Sequence, residues 1–215
     1  MGNHDFIRDL RKDYTQYELT ENDVHDSPFV QFSIWLEQAL KAQVPEPHAT
    51  TLSTVHQGRP SARVVLLRGL EGEGLLFFTN YESRKGREIA ENPSGCMTFF
   101  WPELERQLRV EGKIVKATEE VSDDYFFSRP RGNRLGAWAS PQSEVIENRE
   151  VIERLSALFE ARYPTGTAIP RPPHWGGYVL IPDAFEFWQG RASRLHDRIR
   201  YRLENGSWKI ERLAP

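Results

Sequence analysis

The hydrophobic positions of this chain change period several times. Phe29, Phe32, Leu36 and Leu40 recur at spacings of three and four, which predicts an amphipathic helix running to about Gln43. Ser27-Pro28 reads as an N-cap with proline at the first helical position, and Pro45 and Pro47 end the helix. From His48 to about Thr118 the texture becomes β: ATTLSTVH, SARVVLLRGL, GLLFFTN, GCMTFFW and RQLRVEGKIVKA are rich in Val, Leu, Thr and Phe, with turn residues between them. ESRKGREIAENP interrupts them as a short helix, stopped by Asn92-Pro93. EEVSDDYFF predicts another helix, ending near Arg129-Pro130, and Arg129 to Arg134 reads as a loop. The longest predicted helix runs from Ser143 to about Tyr163, with Val151, Ile152, Leu155, Leu158 and Phe159 on one stripe. After IPRPP come four more strands, GGYVLIP, AFEFWQG, RIRYRLE and SWKIERL, the last two joined by the hairpin signal Asn205-Gly206.

Eight or nine short strands with helices around them predict a mainly β fold with peripheral α-helices, an antiparallel barrel rather than a parallel α/β sheet. Residues 1–26 read as a polar arm, and residues 27–215 as a single domain. Composition narrows the function classes. The 215 residues are 39% hydrophobic and 27% charged, a globular balance, with a formal net charge of −3. That charge argues against general nucleic-acid affinity, so attraction for phosphate must come from local cationic clusters. The single cysteine, Cys96, excludes an intramolecular disulfide and a Cys-rich metal site. No apolar run reaches a transmembrane length, the N-terminus lacks an apolar signal core, and a cytoplasmic location is expected. There is no glycine-rich dinucleotide fingerprint and no P-loop.

Four clusters carry candidate chemistry. Arg63 and Arg68 bracket Val64, Val65, Leu66 and Leu67, and residues five apart on a strand face opposite sides. Ser83-Arg84-Lys85-Gly86 opens a helix, where amide dipoles and cations together suit an anion. Tyr125, Arg129, Arg131, Asn133 and Arg134 surround Pro130 and Gly132, and guanidinium forks suit phosphate. Finally Arg194, His196, Arg198, Arg200 and Arg202 share one parity, a cationic face if the whole run is strand; with no acid on that face, a bound anion or partner is favoured. Each cluster also has a bland reading as a solvated basic surface. Together they indicate a protein that binds phosphorylated ligands, and they do not name a cofactor.

The same segments resemble the signature regions of the pyridoxamine/pyridoxine 5′-phosphate oxidases. SRKG, SRPRG, GAWAS, FWQG, RLHDR and the WKIERLAP ending occur in order over nearly the whole chain. The resemblance implies an FMN-binding split β-barrel and a homodimer with FMN at the subunit interface. It implies oxidation of pyridoxamine or pyridoxine 5′-phosphate to pyridoxal 5′-phosphate by O2, releasing H2O2, with no metal. Arg63 to Arg68 then line the flavin, with Arg63, Arg84, Lys85 and Ser143 near its phosphate. Phe78, Thr79, Gln107, Gln142, Trp188 and Arg198 contact the rest of the cofactor. Arg68, Tyr125, Arg129 and Asn133 grip the substrate phosphate. Arg194 and His196 border the pyridine ring as the catalytic candidates, and Arg11 to Tyr14 form a mobile lid.

Three positions depart from the family pattern: Arg68 stands where Lys is usual, Asn133-Arg134 where Ser-Gln is usual, and Phe78 where Tyr is frequent. The first two fall on the expected substrate-phosphate grip. Two other readings therefore stand beside the main one: an FMN oxidase with another substrate, like those of phenazine biosynthesis, and a non-catalytic binding module for phosphorylated ligands.

Overall fold

The computed structural model describes residues 13–215, so Arg11 and Lys12 of the expected lid lie outside the described residues. Helix α1 spans Pro28–Lys41 and starts from Ser27 in extended conformation (φ −91°, ψ 122°). The Ser27 side chain makes no cap bond, so the preset φ of Pro28 starts the helix. Its buried face is Gln31, Phe32, Trp35 and Ala39, turned from the predicted stripe, and Leu40 is exposed.

Nine strands follow, the number that the sequence pattern indicates, divided differently: β1 Ala49–His56, β2 Arg59–Leu66, β3 Gly69–Leu70, β4 Leu75–Asn80, β5 Ser94–Trp101, β6 Arg106–Lys116, β7 Trp175–Gln189, β8 Asp197–Glu204 and β9 Ser207–Arg212. They form one sheet in the order β2-β1-β5-β6-β7-β4-β3, with β8 pairing β7 and β9. Four more helices are α2 Arg84–Glu91, α3 Glu119–Ser128, α4 Arg131–Ala139 and α5 Arg149–Arg162. The chain is mainly β with peripheral helices, and none of its described helices is long and apolar enough to cross a membrane.

Two predicted strands, GGYVLIP and AFEFWQG, are one strand, β7, and Pro182 sits inside it. Proline is tolerated there because β7 changes partner at that point. The antiparallel ladder to β4 ends at Leu180 opposite Leu75, and the ladder to β8 begins at Ala184 opposite Arg202. On the β4/β8 edge of β7, Pro182 thus falls between ladders. On β6, Gly112 allows close approach: a Cβ there would lie 2.0 Å from the Ile181 carbonyl oxygen.

Two helix expectations need correction. Of the segment read as a loop, Arg129 to Arg134, the part from Arg131 onward is the start of helix α4; Pro130 and Gly132 suggested a turn, but Pro130 precedes a regular helical start. The long helix begins at Arg149, not Ser143, because Ser143 has φ 72°, in the left-handed region. The stripe of α5 is only partly covered, with Leu158 exposed and Phe159 packed against Trp138 at 5.6 Å.

The chain divides into two compact units. The first takes in residues up to Ala49, Thr98–Val110 and Asp183–Pro215. Its core is aromatic: Trp35 meets Phe187 edge-on at 5.0 Å, and Phe32, Phe99, Trp101, Phe185 and Tyr201 are all buried with it. The second comprises Thr50–Met97 and Glu111–Pro182. There Phe126, Leu135, Ala137, Ile169 and Trp175 form a cluster beneath α3, α4 and α5.

Candidate active site

The second unit holds a cavity of about 530 Å3. Val64, Val65, Leu66 and Arg68 line it from the end of β2, Phe78, Thr79 and Asn80 from β4, and Lys85 from α2. Tyr125, Ser128 and Arg129 come from the end of α3, Asn133 and Ala137 from α4, with Gln142 and Trp175 completing the wall. Among the described residues, three cations and no carboxylate line this space. A concave site with that imbalance is built for an anion.

Its floor is a stack of rings. Phe78 lies on Tyr125 at 3.9 Å and 18°, and the Trp175 plane is within 11° of Phe78. The Arg129 guanidinium sits 4.5 Å from the Trp175 ring centroid, and Arg68 lies 5.8 Å from that of Tyr125. Burial, reinforced by repulsion from Arg68, makes the charge of Arg129 costlier than usual, partly offset by Tyr125. Its Nη1 is buried without a hydrogen-bond partner. A buried, unpaired guanidinium donor facing a second cation favours a bound anion.

A second cationic group forms where β4 turns into α2. Ser83 caps the helix, its Oγ accepting from the Gly86 N–H at 3.3 Å. Gly86 is required here, since a Cβ would lie 2.1 Å from the Tyr81 carbonyl oxygen. Lys85 donates to Thr79 Oγ1 (3.1 Å) and Gln142 Oε1 (3.3 Å), both neutral. Burial, then repulsion from Arg63, pulls its ammonium below the usual lysine range. Beside it, Glu88 accepts from Arg63 Nη2 and Arg84 Nε at 2.8 Å each and from Thr54 Oγ1 at 2.5 Å. Burial alone would raise the Glu88 pKa, but these donors outweigh it and hold the carboxyl at about 2. Glu88 therefore braces two arginines that would otherwise repel each other.

Arg63 and Arg68 part as the strand parity requires: Arg68 enters the cavity lining, and Arg63 turns to Glu88, Thr54 and Ser61. Leu67 is buried and lies outside the lining, and exposed Ser143 follows Gln142 without entering it. Arg84 pairs with Glu88 and is likewise outside the lining.

The remaining candidates belong to the first unit. Trp188 and His196 pack at 4.5 Å, and Tyr14 meets both edge-on at 5.8 and 5.9 Å. Gly190 makes room for Tyr14, because a Cβ there would lie 2.7 Å from its ring. The Arg191 N–H donates to His196 Nδ1 at 3.1 Å, which leaves the proton of the neutral ring on Nε2. Burial first, and Arg194 second, lower the His196 pKa from 6.5, so the ring is neutral at pH 7. Arg194 is exposed, with φ 61°. Gln107 is half-buried on β6.

The cationic face expected from Arg194 to Arg202 is corrected by this geometry. Strand β8 starts only at Asp197, so Arg194 and His196 are not part of its face. Acids of β7, β8 and β9 neutralise the rest: Arg198 Nε donates to Glu186 at 2.8 Å, Arg200 pairs with Glu211 at 2.6 Å, and Arg202 pairs with Glu204 and Glu211. Glu186 and Glu211 come from the strands on either side of β8, so the parity of β8 alone did not show them.

Comparison with known proteins identifies this arrangement. Residues 36–158 match the family model described as pyridoxamine 5′-phosphate oxidase. Residues 175–215 match the pyridoxine 5′-phosphate oxidase C-terminal dimerisation region. The chain belongs to the pyridoxine/pyridoxamine 5′-phosphate oxidase family. It is 56% identical over 213 residues to the pyridoxine/pyridoxamine 5′-phosphate oxidase of Burkholderia thailandensis, covering 97% of this chain and 99% of the relative. The enzyme of the same name from Burkholderia pseudomallei is also 56% identical over 213 residues, with the same coverage. Among solved structures, PhzG from Burkholderia lata, in complex with tetrahydrophenazine-1-carboxylic acid, matches with TM-score 0.85 and 34% identity, over 92% of this chain and 98% of that one. An FMN-binding protein from Nostoc punctiforme shares the fold, with TM-score 0.69 and 20% identity over 89% of this chain and 100% of that one. This oxidase-family member is thus an oxidoreductase with the antiparallel split-barrel fold, as its motifs indicate.

The oxidase family's flavin can be tested against the residues. A half-buried lysine with only neutral partners, next to a capped helix start and two braced arginines, fits a phosphate group. Strand β2 offers apolar Val64, Val65 and Leu66 to a flat ring system. The donor set fits FMN. Sequence reasoning missed Trp175 and Glu88. Glu88 was legible as the i+4 partner of Arg84, whereas Trp175 reaches the cavity only through the β4–β7 pairing.

Proposed function

We propose that this chain oxidises pyridoxamine 5′-phosphate or pyridoxine 5′-phosphate to pyridoxal 5′-phosphate, with bound FMN as acceptor and O2 as final oxidant. The observation that carries this reading is the cavity with Arg68, Lys85 and Arg129 on its wall and no acid among the described residues. A phosphorylated pyridine needs both a cationic grip and a flat aromatic seat, and the stacked rings of Phe78 and Tyr125 supply the seat. The high identity to oxidases of that name over nearly full length supports the substrate class.

In this reading, Arg63, Arg84, Lys85 and Gln142 hold the FMN phosphate, with Ser143 beside them. Val64 to Leu67, Phe78, Thr79 and Gln107 border the rest, and Trp188 and Arg198 come from the partner subunit of a homodimer. The C-terminal dimerisation match supports that arrangement. Arg68, Tyr125, Arg129 and Asn133 take the substrate phosphate, so the chain's work is to fix C4′ in place. When bound, the flavin supplies the two-electron acceptor that amino-acid side chains lack. Arg194 and His196, whose Nδ1 already accepts from Arg191, orient the pyridine ring. For the amine, the loss of two electrons and two protons gives an imine that water converts to the aldehyde and ammonia. O2 takes up the electrons and protons as H2O2.

The purified protein should be yellow and should release peroxide when either substrate is added. A yellow protein inert to both would favour a different substrate, the reading suggested by the PhzG likeness. A colourless protein that takes up no FMN would favour a binding module. Arg194→Ala should reduce turnover by about 100-fold with flavin content unchanged, as expected for loss of an orienting charged donor. Near-normal turnover in that variant removes Arg194 from the mechanism.

A further inference from the structure

A guanidinium that must receive a phosphate is usually held in place by a carboxylate, which also cancels part of its charge. Arg129 is held differently. Among the described residues no acid pairs with it, and its contacts are ring faces: Trp175 at 4.5 Å and Phe126 at 5.9 Å. Trp175 is itself rigidly mounted. It is buried, its backbone N–H donates to the Pro172 carbonyl at 3.0 Å, and its backbone carbonyl accepts from Arg171 Nη1 at 2.7 Å. Arg171 is fixed in turn by Asp123 at 2.6 Å and by Glu119. Glu119 and Asp123 are thus paired with Arg171 and not with Arg129. The indole face passes on the orientation without passing on the negative charge.

We propose that Trp175 is a positioning residue for the anion site: its ring holds the Arg129 guanidinium by a cation–π contact in place of an ion pair, keeping Nη1 unpaired and the full positive charge available to a phosphate. This inference rests on the reading of the cavity as a substrate-phosphate site, and it assigns Trp175 no contact with substrate. A planar cation on an indole face keeps a fixed orientation, whereas an ammonium has no such face to stack.

The test uses the flavin-loaded protein and inorganic phosphate as probe, titrated by calorimetry into the wild type, Trp175→Leu, Trp175→Phe and Arg129→Lys. Leucine keeps apolar bulk without a π face; phenylalanine keeps a smaller face. Phosphate affinity should fall about ten-fold in Trp175→Leu and in Arg129→Lys, and about three-fold or less in Trp175→Phe. With pyridoxamine 5′-phosphate, the leucine variant should raise KM by about the same ten-fold factor while kcat changes by less than about two-fold. Leucine binding phosphate within about two-fold of wild type overturns the proposal, as does phenylalanine losing as much as leucine, because volume would then suffice. Where Trp175→Leu does not fold, Arg129→Lys decides: phosphate affinity at the wild-type level shows that stacking is not needed. No phosphate binding by the wild type also overturns it. If phosphate affinity follows the expected order while the substrates give no peroxide, the B6 reading fails and the role of Trp175 stands.

Discussion

Arg129→Ala should raise the KM for pyridoxamine 5′-phosphate by about two orders of magnitude with the flavin retained. The guanidinium lies in the cavity wall with a buried, unpaired Nη1, and Arg68 is the nearest other cation of the grip. Hydrogen bonds to charged groups are worth about 1.5–3 kcal/mol each, so losing a two-pronged grip on phosphate costs about 3 kcal/mol, or about 100-fold. Alanine leaves no buried charge behind, because Arg129 has no acid partner to orphan. The loss should therefore appear in binding and not in folding. Steady-state kinetics beside a flavin absorbance ratio measure both. A KM within about three-fold of wild type would place the substrate phosphate elsewhere, most simply at Arg68 alone.

Glu88→Ala should destabilise the fold by about 3 kcal/mol and lower the melting temperature by roughly 10 °C. This carboxylate is 5% exposed and joins Arg63, Arg84 and Thr54. Its removal leaves two guanidinium groups facing each other beside the half-buried ammonium of Lys85. The pH dependence has a definite sign. The folded pKa of about 2 lies below the ordinary 4.5, so the stabilisation is complete above about pH 4.5 and is lost as pH falls toward 2. Wild type should thus lose stability through that window, and the variant should lose about 3 kcal/mol less there. Urea unfolding at pH 7 and pH 3 tests it; equal midpoints for wild type and variant at pH 7 would show that the brace is not needed. Flavin retention in the variant should fall as well, because Arg63 and Arg84 lose their common anchor.

Local signals were legible at the chain's caps and turns. Ser83 was placed at the start of α2, and Asn205-Gly206 does join β8 to β9, because those devices act within a few residues. The opposite facing of Arg63 and Arg68 followed from strand parity alone. The helix at Arg131–Ala139 was not legible, since Gly132 and Gly136 lower intrinsic helicity and packing against α5 compensates. Nor was the continuity of β7 through Pro182, which depends on two partner strands meeting at that residue.

The sequence by itself determined the β-rich class, the family and the four cationic segments, because each is a property of neighbouring residues or of motifs in order. Only the tertiary structure decided which cations are spent. Arg198, Arg200 and Arg202 are neutralised by Glu186, Glu204 and Glu211, whereas Arg68 and Arg129 face a cavity that no acid lines among the described residues. A charge's availability depends on what the sheet brings opposite it. That pairing is set by which strands lie side by side and in what register, which the parity of one strand taken alone does not record.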